Sequence, residues 1–147
     1  MKTPYDAALR VADRELDEVR AAIGAALENV QRIEDAAATL AETMVREKAA
    51  VAGDRSLAAE RFFTRARDQR TQLAAAHGVA QQHLETLRER AVECYGTRTA
   101  IEGAAVQYRH DAERMAAAAE QAALDDIAAS RLVRMRRRRP MTARLPA

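Results

Sequence analysis

Proline is nearly missing from this sequence. Pro4, Pro140 and Pro146 are the only three, so residues 5–139 contain none. Tryptophan is absent, and phenylalanine and tyrosine together supply only 3% of the residues. Large aliphatic and aromatic side chains are scarce as well: Leu, Ile, Val and Phe number 26 of 147. The hydrophobic share of 48% is misleading, because 36 of those residues are alanine, which removes little apolar area from water. A single-core globule of this length normally buries more bulk than this. The lone Cys94 cannot close an internal disulfide, which points to a reducing compartment. No apolar run approaches the roughly 20 residues that span a bilayer. Asp6, Asp13 and Glu15 interrupt any leader-like stretch at the start. These absences exclude a β-sandwich, an α/β sheet fold and a disulfide scaffold, and they make a cytoplasmic location the expectation.

What remains is rich in Ala, Glu, Arg, Gln and Leu, the composition of long helices. Thr3, Pro4 and Asp6 read as a helix start, with Thr3 as cap, Pro4 at the first helical position and Asp6 reaching back. From Leu9 onward a heptad repeat runs without slipping. Its first row is Leu9, Leu16, Ile23, Val30, Ala37, Met44 and Val51, and its second is Ala12, Val19, Ala26, Ile33, Leu40 and Glu47. Twelve of these thirteen are apolar, the pattern of a left-handed coiled coil. The repeat stops at Ala52-Gly53-Asp54-Arg55-Ser56, where Gly53 suits a helix end and Asp54 or Ser56 a new cap.

A second repeat then runs from Ala59 through Ala66, Leu73, Ala80, Leu87, Cys94, Ile101, Tyr108, Met115 and Ala122 to Ala129. Its companion row is weaker, with Phe63, Arg70, His77, Leu84, Ala91, Arg98, Ala105, Ala112, Ala119 and Asp126. The predicted fold is all-α: a long antiparallel two-helix coiled-coil hairpin with an overhanging C-terminal helix. Helix one should cover about 4–51, the turn 52–56 and helix two about 57–135. Residues 1–139 would form one hairpin, and 140–147 a disordered end of the basic tail. With the turn near residue 53, residue i should face roughly residue 107 − i, putting Leu9 opposite Arg98. The overhang, with Ile101, Tyr108, Met115, Leu124 and Ile127, is too apolar for a purely solvated helix and should meet a partner.

Charge is distributed unevenly. Residues 131–147 hold seven arginines and no acid, while the preceding 130 residues hold 17 basic and 22 acidic side chains. An acidic body with a basic tail can attract anionic surfaces through the tail alone. The tail's core is Arg134, Arg136, Arg137, Arg138 and Arg139. Such a cluster is compatible with phosphate contacts, and it equally suits a helix C-terminus, where cations favour the macrodipole. No phosphate-binding glycine loop, zinc spacing or nucleophile motif is present. His77, His83 and His110 are dispersed, and Cys94 lies in a seam row. No enzymatic activity, metal, cofactor or small-molecule substrate is expected.

The layout resembles the flagellar export protein FliJ family. The stretch Glu120-Gln121-Ala122-Ala123-Leu124-Asp125-Asp126-Ile127-Ala128-Ala129-Ser130-Arg131 is similar to the end of the last helix in that family. So is the tip, with Gly53 and a short polar turn before Phe62-Phe63. The likeness spans roughly residues 4–135; high alanine content and the Arg136–Arg139 run depart from it. The resemblance implies a non-enzymatic component of the bacterial flagellar type III protein export apparatus, required for motility. It would be a coiled-coil stalk that promotes assembly of the export ATPase hexamer and links it to the membrane export gate. Implied partners are that ATPase and its regulator, the gate protein and export chaperones, with peripheral association at the inner membrane. Tyr108, Met115, Leu124 and Ile127 would then engage the ATPase, and Met44, Phe62 and Phe63 the gate. Alternatives are the equivalent stalk of a virulence-type secretion system, or a basic-tailed coiled coil that binds nucleic acid.

Overall fold

The computed structural model describes residues 2–52 and 57–138, with Arg138 described for its backbone alone. It contains two helices, α1 (Asp6–Ala50) and α2 (Leu57–Arg138), and no strand among the described residues. The expected limits of both helices therefore hold to within about three residues. Gly53, Asp54 and Ser56 of the expected turn, together with Arg139, Pro140 and the rest of the tail, lie outside the described residues.

The start of α1 is built as its sequence suggests. The Thr3 N–H donates to Asp6 Oδ2 at 3.1 Å, and the Thr3 hydroxyl donates to Asp6 Oδ1 at 2.6 Å. Asp6 thereby satisfies a backbone donor that the helix leaves open, and its negative charge sits at the positive end of the dipole. Thr3 is the one buried polar residue among those described.

The chain divides into two compact units. One comprises residues 7–100 and the other residues 1–6 with 101–147. In the larger unit the two helices run antiparallel, because partners rise in number along α1 as they fall along α2. Asp13 pairs with Arg98 and Glu34 with His77. Each pair sums to 111 rather than 107, so the register is displaced by about one helical turn from the expected one. Arg98 consequently meets Asp13 instead of Leu9. The physical reason is the connection: heptads determine which side of a helix is buried, but they are silent on how many residues the turn consumes.

Burial follows the heptad rows closely. Ala12, Leu16, Ala26 and Val30 are buried on α1, and Ala66, Ala80, Leu84 and Cys94 on α2. Leu84 forms the best-packed point, gathered with Ala26, Val30 and Ala80 and flanked by Ile23, Ile33 and Leu87. Small residues beside branched ones let two helices approach closely with only a thin strip of core. Gly24, Gly78, Gly96 and Gly103 have open space where a Cβ would stand, so they face outward as the register requires.

The other unit holds most of the exposed length of α2. Tyr5 and Tyr108 meet edge to face with centroids 6.2 Å apart, and Ala105 is fully buried. Every residue from Glu113 to Arg137 is exposed. Leu84→Ala is expected to destabilise the chain by about 2–3 kcal/mol through lost burial and a residual cavity. Leu124→Ala, at an exposed position, should leave the midpoint within about 0.5 kcal/mol. Thermal melts followed by circular dichroism check both.

Candidate functional site

Among the described residues no group of three or more His, Cys, Asp or Glu could hold a metal. His77 accounts for itself structurally, with Nε2 at 2.9 Å from Glu34 Oε1 across the hairpin. Cys94 is a buried seam residue. Arg90 has its pKa raised above the ordinary arginine value, chiefly by its hydrogen bond to Glu93, which keeps the guanidinium charged. Three exposed surfaces stand out among the described residues.

The first lies toward the tip of the hairpin. Ala37, Leu40, Ala41, Met44, Val45, Lys48, Phe63 and Arg70 line a groove of about 360 Å³. It arises from a defect in the seam. Arg70 occupies a seam position, yet its side chain is exposed, and Ala37 in the facing row is exposed too. A cation cannot be buried there without losing its hydration, so the row opens instead of closing. Met44 and Phe63 share this groove. Phe62 stands beside them and is half-buried, packed edge-on against Phe63 at 5.3 Å and 78°. The three tip residues form one neighbourhood, rimmed by Lys48 and Arg70.

The second and third surfaces come from dividing a group that the sequence reading treated as one. Tyr108, Met115, Leu124 and Ile127 are all exposed, at 42%, 75%, 61% and 51%. They do not share a face. Met115 and Leu124 are nine residues apart, two and a half turns at 100° per residue, and so point to opposite sides of α2. Tyr108 and Met115 continue the row of Cys94 and Ile101 and extend the side that is buried lower down. Leu124 and Ile127 instead belong with Ala128, Arg131, Leu132 and Met135, which line one shallow depression. Their spacing of three and one residues is that of a single helix side. Leu132 and Met135 went unremarked in the sequence reading, although their spacing from Leu124 was available.

The arginine tail begins on this third surface. Arg131 lies within the depression, and Arg134 lines an adjoining one with Asp126, Ile127 and Ser130. Arg134, Arg136 and Arg137 are all exposed. Comparison with protein-family models, curated proteins and solved structures found no match for this chain. No helix among the described residues is long and apolar enough to cross a membrane.

Replacing Arg70 with Leu should close the tip groove onto Leu40 and Ala37. The expected gain is about 1 kcal/mol or more of stability from the added apolar burial. Urea unfolding of Arg70→Leu beside the parent chain measures it; a loss of stability would refute the account of the groove as a seam defect.

Proposed function

We propose that this chain is a coiled-coil stalk of a type III protein export apparatus, resembling the flagellar export protein FliJ family. In this reading it binds the hexameric export ATPase, promotes its assembly and links it to the export gate. One observation carries it: α2 continues for 25 residues, Glu113 to Arg137, with every side chain exposed. A helix of that length with exposed Tyr108 and Met115 on the side that continues the seam is half of an interface.

The geometry refines which residues are assigned. Tyr108 and Met115 stay with the ATPase, on the side of α2 that also carries Ala122. Leu124 and Ile127 are given to a separate surface. The groove at Met44 and Phe63, with Phe62 beside it, is assigned to the gate. Its cationic rim of Lys48 and Arg70 suits an acidic amphipathic segment.

The test is retention of the full chain by the immobilised hexameric export ATPase, with motility of a deletion strain in parallel. Met115→Glu combined with Ala122→Glu is expected to weaken retention about tenfold or more, since both place charge in an apolar contact. Helicity should be unchanged, because both positions are exposed. Retention equal to the parent chain would sink the assignment, and normal motility without the chain would sink the function.

A further inference from the structure

The third surface has a composition that narrows its occupant. Leu124, Ile127, Leu132 and Met135 are 61%, 51%, 59% and 67% exposed. They lie on one side of the last turns of α2 and share a depression with Arg131. No acid follows Asp126 in the sequence, whereas Arg131, Arg134, Arg136, Arg137, Arg138, Arg139 and Arg144 do. Arg131 lies on the same helix side, Arg134 and Arg136 stand at its two edges, and Arg137 lies across the helix from it.

That arrangement, an apolar side with one cation within it and two more at its edges, decides between occupants. A nucleic acid would satisfy the arginines and leave Leu124, Leu132 and Met135 in water. A second copy lying parallel would cover the apolar residues and bring Arg131 against Arg131. An ordinary protein groove would have to desolvate Arg131 in the middle of the contact. The surface of an anionic bilayer accepts both kinds of group at once. Apolar side chains enter the boundary between headgroups and acyl chains, and arginines beside them extend to the phosphates. The remainder of the chain is unsuited to such a surface, since residues 1–130 carry 17 basic and 22 acidic groups. Contact would be confined to this end.

We propose that the last four turns of α2 bind anionic phospholipid membranes, with Leu124, Ile127, Leu132 and Met135 inserted and Arg131, Arg134 and Arg136 on lipid phosphates. This goes beyond the export-stalk reading and stands or falls separately from it.

Co-sedimentation of the full chain with lipid vesicles tests it. The probes are vesicles of phosphatidylcholine alone and vesicles with about one third phosphatidylglycerol. Binding is expected to the anionic vesicles only, and to fall as salt rises from about 0.1 M to about 0.5 M. Changing Arg131, Arg134 and Arg136 to Gln should weaken it about tenfold or more. Leu132→Glu with Met135→Glu should also weaken it, while Met115→Glu on another side of the helix should leave it intact. All these positions are exposed, so circular dichroism should match the parent chain. No binding to anionic vesicles, equal binding to neutral ones, or binding indifferent to Leu132→Glu with Met135→Glu would overturn the proposal. So would tight association with duplex DNA that needs the arginines but not Leu132 and Met135, or self-association through those residues that abolishes vesicle binding.

Discussion

The thin antiparallel seam is the interaction on which the rest of the structure depends. Its buried residues are mostly Ala, Leu and Val, with Cys94 and no aromatic among them. Each buried alanine contributes little on its own, so the pair of helices is held by the length of the contact and by a few points such as Leu84. The cross-hairpin pairs Asp13–Arg98 and Glu34–His77 are partly exposed and fix register more than they add stability. A seam of this kind stabilises only helix that has helix opposite it. Where α2 has no such cover, alanine-rich sequence and local pairs such as Gln121 with Asp125 are left to hold the conformation. Isolated helix of that kind is marginal in water.

Defects in the seam matter as much as its regular part. Arg70 in a seam position opens the tip groove, and the exposed Ala37 shows that the facing row does not compensate. Near the end of α2 the formal heptad rows continue through Ala119, Ala122, Asp126 and Ala129, but the large apolar residues leave them. Leu124, Ile127, Leu132 and Met135 form a face of their own. Two exposed apolar faces on one helix therefore arise from a shift in where bulk is placed, without any break in the helix.

Much of this was legible before the structure. A period of 3.5 residues identified Leu16, Val30, Ala66, Leu84 and Cys94 as seam residues, since the side of a helix that is buried is a property of spacing alone. The capping role of Asp6 was legible for the same reason: it is local. Register was not, because the pairing of Asp13 with Arg98 depends on the residues used by the connection. Nor was the contact of Tyr5 with Tyr108, which depends on that register. Treating Tyr108, Met115, Leu124 and Ile127 as one surface failed on angle. Leu124 and Ile127 lie outside both heptad rows, and at 100° per residue Leu124 stands about 180° from Met115. The partners themselves leave no imprint in spacing, so function rests on the resemblance and on which faces stay open.

Amide hydrogen exchange of the isolated chain in dilute solution tests the central claim most directly. If the seam alone confers stability, amides within α1 and residues 57–105 exchange slowly and together, at the free energy of global unfolding. Amides from 113 to 137 exchange far faster, through local fraying that leaves the hairpin intact. Uniformly slow exchange along the whole of α2 in the monomer would contradict the account, because it would require stabilising contacts that the exposed end does not make.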